Sequence, residues 1–105
     1  MDKNTMFPPS TLAGMPRLYE TDGKDASEVK VHIKIFNPCG SQTWYLTEYD
    51  PDNRIFFGLC DLGQGAELGY VSMDEMLEVK CPPFGLGLER DLHVCDMTLQ
   101  QAKEA

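Results

Sequence analysis

The sequence is poor in basic residues, in closely spaced cysteines and in long apolar segments. Nine lysines and arginines stand against 17 aspartates and glutamates, which gives a formal net charge of −8. Such a surface repels nucleic acid phosphates, so direct binding to DNA or RNA is disfavoured. No apolar segment approaches the roughly 20 residues of a membrane-spanning helix, and the first residues lack the apolar region of a signal peptide. We therefore expect a cytoplasmic protein that binds neither nucleic acid nor membrane.

The cysteines and histidines are spaced too widely for a metal-binding motif. The four cysteines stand at positions 39, 60, 81 and 95, and the two histidines are His32 and His93. Zinc ligands usually occur in close sequence pairs, and none is present. The glycine pairs at 63/65 and 85/87 lack the lysine that follows in a phosphate-binding loop. We expect reduced thiols, no metal and no cofactor.

The length of 105 residues predicts one domain with one modest core. Hydrophobic residues make up 42% of the chain, which is typical of a folded domain rather than a disordered one. Residues 1–9 and 97–105 contain few strong apolar anchors. We expect both segments to be loose ends.

The stretch Gln42–Ser72 predicts the centre of the fold. Three β-rich segments, residues 42–49, 54–60 and 66–71, are separated by the turn-rich segments 50–53 and 61–65. Residues 29–36 alternate between apolar and polar side chains and predict a preceding strand. Short connections of this kind join neighbouring antiparallel strands. Glycine at position 58 of the third strand allows a bulge or the close approach of an aromatic ring.

The alternation along these strands predicts one buried and one exposed face. In the first strand, Val29, Val31, Ile33 and Ile35 share a face. In the second, one face carries Trp44, Leu46 and Glu48, and the other carries Thr43, Tyr45, Thr47 and Tyr49. A sheet with one face packed and one face in solvent is typical of antiparallel folds.

Helix signals are confined to short segments. Ser72 and Glu75 match a capping box and predict a helix over Ser72–Val79, with Met73, Met76 and Leu77 on its buried side. Short helical turns are predicted near Pro9–Gly14 and after Thr98, and residues 92–95 predict a last strand. The fold class is therefore α+β, a small twisted antiparallel sheet of four or five strands with one short helix packed on a face.

Negative charge concentrates in the same central region. Between Tyr45 and Glu78 we count eight carboxylates and one basic residue, Arg54. Together with two aromatic residues they form a candidate interaction surface for a basic partner: Glu48, Asp50, Asp52, Asp61, Glu67, Asp74, Glu75, Glu78, Trp44 and Tyr70. Acidic residues on a protein surface often contribute solubility alone, and aromatic residues on adjacent strands often form the core.

A second polar cluster offers an alternative site. Glu89, Arg90, Asp91 and His93 stand close together near the carboxyl end. If these side chains converged on a pocket, they could supply a general acid or base and a clamp for an anion. The simpler interpretation is structural, with Arg90 bridging the flanking carboxylates at a sheet edge.

Four sequence blocks stand out along the chain: Thr43–Asp50, Phe56–Asp61, Glu67–Ser72 and Gly85–His93. Together they resemble a small uncharacterised family of bacterial proteins encoded on plasmids, integrative elements and phages. The family offers no catalytic residues to transfer. Small acidic proteins of mobile elements often bind host proteins and block them, so the resemblance implies a similar context.

Two functional hypotheses follow. The first is an acidic, non-enzymatic interaction protein that binds, and can thereby inhibit, a host or defence protein with a basic or nucleic-acid-binding surface. The second is a small enzyme or ligand-binding domain that uses Glu89, Arg90, Asp91 and His93. A continuous acidic surface would favour the first, and a polar cleft would favour the second.

Overall fold

The computed structural model describes residues 3–63, 65–92 and 96–104. Within these ranges the helices are α1 (Lys3–Met6), α2 (Pro9–Gly14), α3 (Met73–Glu78) and α4 (Leu99–Glu104). The strands are β1 (Ile33–Phe36), β2 (Thr43–Asp50), β3 (Ile55–Asp61), β4 (Ala66–Ser72) and β5 (Glu89–Arg90). They form an antiparallel sheet in the order β4-β3-β2-β1-β5. The predicted α+β fold is confirmed.

The turn between β2 and β3 forms as the sequence predicts. The Asp50 carboxylate accepts hydrogen bonds from the Asp52 N–H at 3.0 Å and from the Asn53 side-chain amide at 2.8 Å. Aspartate at the start of a turn satisfies the following backbone in this way. The turn fixes the register of the hairpin, in which Asp50 pairs with Ile55.

Both faces of the sheet carry buried side chains, so the expectation of one exposed face is wrong. On the first face, Ile35, Leu46 and Phe56 pack with residues of α1 and α3. On the second face, a smaller cluster contains residues of β2, β3 and α4 together with two valines that precede β1: Tyr45, Leu59, Leu99, Ala102, Val29 and Val31.

The alternation predicted over residues 29–36 changes face in its middle. Ile33 and Ile35 belong to the cluster on the first face, whereas Val29 and Val31 belong to the cluster on the second. The reason is that β1 begins only at Ile33. The residues before it pair with the segment leading into α4, where the Val31 N–H donates to the Met97 carbonyl at 2.9 Å.

A bulge in β2 reverses the predicted faces of its second half. Leu46 pairs with Gly58 and Glu48 with Phe57, so Thr47 is the inserted residue. A Cβ atom at Gly58 would lie 2.1 Å from the carbonyl oxygen of Tyr45, and only glycine fits there. The predicted role of Gly58 in a bulge is confirmed.

The consequence of the bulge is a new assignment of faces. Trp44 and Leu46 pack on the first face as predicted, but Tyr49 joins them. Glu48 lies on the second face instead. It pairs with Phe57, which in turn pairs with Tyr70 on that face and does not belong to the first cluster.

The described parts of both chain ends are packed, which corrects the expectation that they are loose. Met6 and Phe7 are buried, and the Phe7 ring stacks 5.1 Å from Phe56. At the other end, Leu99 and Ala102 of α4 are buried. At each end of the chain the few apolar residues lie on the side that faces the sheet. Their burial holds the short helix in place.

Capping residues set the ends of the short helices. The Ser72 hydroxyl oxygen accepts a hydrogen bond from the Glu75 N–H at 3.3 Å, so α3 begins where the sequence predicts. Thr98 and Gln101 form a reciprocal box before α4, with distances of 3.2 and 2.9 Å. None of the described helices has the length and apolar character to cross a membrane.

Candidate protein-interaction surface

The carboxylate of Glu48 anchors a loop on the second face of the sheet. Glu48 as a whole is only 2% exposed. One carboxylate oxygen accepts from the Tyr19 N–H at 2.9 Å, and the other accepts from the Thr21 N–H at 3.0 Å and from the Thr21 hydroxyl. Such donors replace the water that a buried carboxylate loses. Glu48 is therefore an internal anchor, and its predicted place on an acidic surface is wrong.

The loop held by Glu48 places Tyr19 against the outer strand. Tyr19 has a φ of 72°, an unusual value for a bulky residue that persists only where the surroundings impose it. Its hydroxyl accepts a hydrogen bond from the Tyr70 hydroxyl at 3.3 Å. The Tyr70 ring lies 5.1 Å from the ring of Phe57 on β3. The buried carboxylate thus determines the position of an exposed aromatic residue.

These aromatic residues form an exposed patch along β4. Tyr19 is 63% exposed, Tyr70 is 56% exposed, and Leu68, two residues before Tyr70 on the same face, is 47% exposed. Phe57 is half-buried between them. We call this set the tyrosine patch (Tyr19, Phe57, Leu68 and Tyr70). Tyrosine and other large apolar side chains are frequent energetic anchors of protein interfaces.

A small cavity within the tyrosine patch is bordered by carboxylates. Its volume is about 240 Å³, and it is lined by Tyr19, Phe57, Tyr70, Asp22 and Glu48. The hydrogen bond to Tyr19 raises the pKa of Tyr70, and the nearby carboxylates raise it further. Aromatic faces and carboxylates both attract cations, so the cavity suits the end of a lysine or arginine side chain.

The other aromatic residue that the sequence predicted as an anchor has a different position. Trp44 lies on the first face and is packed in part against the core cluster. Its neighbour across the sheet is Cys60 on β3. The side chain contributes mainly to the core, so Tyr70, and not Trp44, is the exposed aromatic residue of the predicted pair.

The predicted carboxylates lie in two groups at opposite ends of the sheet. At the end where Asp50 pairs with Ile55, exposed carboxylates come from the β2–β3 turn and α3: Asp52, Asp74, Glu75 and Glu78. At the other end, Asp61 pairs with Ala66 and Glu67 follows. The strand between them spans roughly 20 Å at about 3.3 Å per residue. The carboxylates do not form one continuous surface.

Part of the first group is engaged in local structure. Arg54 makes a two-pronged contact with Asp74, in which the nitrogen–oxygen distances are 2.8 and 3.1 Å. This hydrogen bond lowers the pKa of Asp74. The hydrogen bond from the Asn53 side chain likewise lowers the pKa of Asp50. Since these carboxylates serve the turn and the start of α3, their charge is already partly compensated.

Two members of the alternative polar cluster, Arg90 and Asp91, line a shallow pocket of about 360 Å³ together with Phe36 and Leu92. Arg90 pairs with Ile35 in β5, and its guanidinium donates to the Thr5 carbonyl of α1 at 2.7 Å. Asp91 forms an ion pair with Lys34, 3.5 Å away. Glu89 is the neighbour of Arg90 in a strand, so the two side chains point to opposite faces. His93 lies outside the described residues.

The histidine and cysteine side chains that the structure describes are partly or fully buried. Burial lowers the pKa of His32, with a contribution from Lys30, and burial raises the pKa of the Cys60 and Cys81 thiols. Cys39, Cys60 and Cys81 are free thiols, and Cys95 lies outside the described residues. Among the residues described, no three histidine, cysteine or carboxylate side chains are grouped to hold a metal ion.

Sequence reasoning missed Tyr19 and Leu68 as surface residues. The available signal was Glu48, because a carboxylate in the middle of a buried strand requires hydrogen-bond donors. The donors stand 27 and 29 residues away in the chain. Their pairing with Glu48 depends on the bulge and could not be inferred from local sequence.

Comparison with known proteins gives a family without an assigned activity. No curated protein and no solved structure matches the chain. A family model described as "Protein of unknown function (DUF2958)" matches residues 13–101. This range contains all the described strands, α3 and the tyrosine patch. The chain therefore belongs to the DUF2958 family, as its resemblance to an uncharacterised family implied.

Proposed function

We propose that this protein is a non-enzymatic interaction protein of the cytoplasm, which binds a basic surface of another protein through the tyrosine patch. The carrying observation is the exposure of Tyr19, Leu68 and Tyr70 side by side at the edge of the sheet. Exposed apolar groups cost free energy in water, and a contiguous set of them is typical of an interface. The packing of the described chain gives these side chains no internal partner large enough to cover them.

Charge supports a basic partner. The protein carries a net charge of −8, and Asp22 and Glu67 are exposed beside the tyrosine patch. Lys103 of α4 also lines the surface next to Leu68, and it compensates only part of this negative charge. Long-range attraction would raise the association rate with a basic protein and would weaken with added salt.

The class of target follows from the same charge and from the family resemblance. Proteins that bind nucleic acids present basic surfaces, and an acidic protein that covers such a surface competes with the nucleic acid. We infer that the partner is a host or defence protein of a bacterium and that the chain is encoded on a mobile element. Inhibition of the target would then result from occlusion, without any catalytic step.

An affinity-capture experiment tests the proposal. The immobilised wild-type protein is compared with the variants Tyr70→Ser and Phe84→Ser in bacterial lysate. Phe84 is a matched control, because it is 77% exposed but belongs to the loop after α3 rather than to the tyrosine patch. Any captured protein is then purified, and its affinity for each variant is measured by titration.

We expect a captured protein whose affinity falls at least about tenfold in Tyr70→Ser and stays unchanged in Phe84→Ser. The affinity of the wild-type protein should also fall by about tenfold or more between about 50 and 500 mM salt. Capture that depends on Phe84 instead of Tyr70, or that is insensitive to salt, contradicts the proposal. Failure to capture any protein at low salt also counts against it.

A further inference from the structure

The outer strand β4 has one paired and one unpaired edge. Seven consecutive residues, Ala66–Ser72, pair with β3 without a register shift. In the described part of the chain, no strand pairs with the opposite edge of β4. The backbone N–H and C=O groups that alternate along this edge therefore face outward. An unbroken edge of this length is a template for another strand.

The features that usually protect an edge strand are missing from β4. Natural sheets block their edges with lysine, proline, bulges or very short strands. The sequence Ala66-Glu-Leu-Gly-Tyr-Val-Ser72 contains no lysine and no proline, and its only charge is Glu67. The opposite edge of the sheet is the two-residue strand β5, which is protected by its shortness. One edge of the sheet is therefore protected, and the other is not.

The side chains of β4 leave room for a neighbour. On the second face, Leu68 and Tyr70 would lie beside the side chains of an added strand. On the first face, Gly69 has an ordinary strand conformation, and a Cβ atom there would meet nothing within 4 Å. Packing of the described chain does not require glycine at this position. A glycine inside a strand often marks the close approach of another backbone.

We propose that the open edge of β4 binds an extended, basic segment of a protein partner, which adds to the sheet as a sixth strand. Backbone hydrogen bonds supply affinity in this mode, and alternate side chains supply specificity. Apolar side chains of the segment lie along Leu68 and Tyr70, and lysine or arginine side chains lie near Glu67 on the other face. This inference rests on the proposed function, because it specifies how the basic partner is held.

Charge favours a basic segment over a second copy of the chain. Glu67 is exposed on one side of the edge, and Asp22 borders the tyrosine patch on the other. A second copy would bring the same carboxylates and a further net charge of −8 to the interface. A segment with alternating positive charges neutralises these groups instead.

The test uses two synthetic probes and the complete protein. The first probe is a peptide of alternating lysine and valine, matched in length to the seven residues of β4. The second is the same peptide with N-methyl groups on its three central residues, which removes donors from both of its edges. Binding is followed by NMR titration, and protection of the β4 amides is followed by hydrogen exchange.

We expect the unmodified peptide to slow exchange of alternate amides in 66–72 by about tenfold or more. N-methylation should weaken binding by about tenfold or more, since several backbone hydrogen bonds are lost together. The variant Glu67→Lys should weaken binding of the unmodified peptide by a similar factor. Glu28→Lys, which makes the same change of charge at an exposed residue outside β4, should change it less than twofold.

Three results would overturn the inference. One is equal binding of both peptides, which would indicate a side-chain contact without strand addition and would leave the proposed function intact. Another is the absence of binding by either peptide. The third is a stable dimer in sedimentation equilibrium of the protein alone, with β4 amides already protected, because a second copy would then occupy the edge. Failure of the proposed function itself is recognised separately, by a lysate capture that does not depend on Tyr70.

Discussion

The inner strands β1 and β2 are covered on both faces, whereas most of β4 is covered on neither. Over β1 and β2, one cluster lies beneath the first three helices and a second lies beneath α4. Along Ala66–Tyr70 of β4, four of the five residues are exposed. In the covered region, side-chain size and backbone conformation are dictated by packing. At the open edge they are not, so packing of the described chain does not account for the apolar residues there.

The largest difference in stability is expected between a variant of Phe56 and a variant of Tyr70. Phe56 is fully buried, 5.1 Å from the ring of Phe7 and 4.7 Å from that of Tyr49. The variant Phe56→Ala should lower the free energy of unfolding by about 3–5 kcal/mol, because the core cannot collapse around the lost ring. Tyr70→Ala removes only the contacts with Phe57 and Tyr19 and should cost about 1 kcal/mol. Urea unfolding followed by the fluorescence of Trp44 measures both values. Equal losses would mean that β4 belongs to the core.

Glu48 links the covered region to the open one, and its variant tests that link. Glu48→Gln preserves the shape but cannot accept at both positions, so we expect a loss of about 1.5–3 kcal/mol. Glu67→Gln, at an exposed carboxylate of β4, should change stability by about 0.5 kcal/mol or less. Because Glu48 holds the Tyr19 loop, the variant should also move the pKa of Tyr70 down towards its ordinary value. An unaltered Tyr70 titration would show that Tyr19 is positioned without Glu48.

Two glycines on paired strands offer a third comparison. Gly58 and Gly69 lie opposite each other in β3 and β4. A Cβ atom at Gly58 would meet the Tyr45 carbonyl and the Leu46 Cα, which are backbone atoms of the bulge. We expect Gly58→Ala to cost about 1–3 kcal/mol through overpacking. Gly69→Ala enters open space and should stabilise the strand by about 0.5–1 kcal/mol. Thermal unfolding would measure both changes, and a loss of stability for Gly69→Ala would reveal an internal contact at the open edge.

The sequence predicted the strands of the meander but not the faces of their residues. Turn residues such as Asp50 and the capping residue Ser72 act on their immediate neighbours, so the bounds of β2, β3, β4 and α3 were predicted to within about one residue. The faces depend on the bulge at Thr47 and on the point where β1 begins. Both result from pairing between distant segments, and periodicity cannot reveal a shift of one residue.

The candidate site was predictable only in part, for a related reason. Tyr70 could be selected because aromatic strand residues on an open face are natural anchors. Tyr19 could not, because its position depends on hydrogen bonds to a carboxylate 29 residues away. Charge density along the chain also gave the wrong impression of a continuous surface. Carboxylates at the two ends of one strand are close in sequence and far apart on the sheet.

The smallest effect on stability is expected at the ion pair between Arg54 and Asp74, where α3 follows β4. Both side chains are about half exposed, so their mutual contribution to stability is small and is screened by salt. The hydrogen bond from Arg54 lowers the pKa of Asp74 below that of the unfolded chain. The ion pair therefore stabilises the fold above the unfolded pKa of about 4, and this contribution is lost as the pH falls through the lower folded value.

The variant Asp74→Asn isolates this contribution. The difference in unfolding free energy between wild type and variant should be largest above about pH 5 and should shrink towards zero in acid, with a similar decrease at high salt. Chemical denaturation at a series of pH values measures it. A small difference would show that the Asp74 carboxylate is dispensable for folding. A large difference that persists in acid would instead make Asp74 a structural residue of α3 through its position in the first turn of the helix, and would group this end of β4 with the covered region.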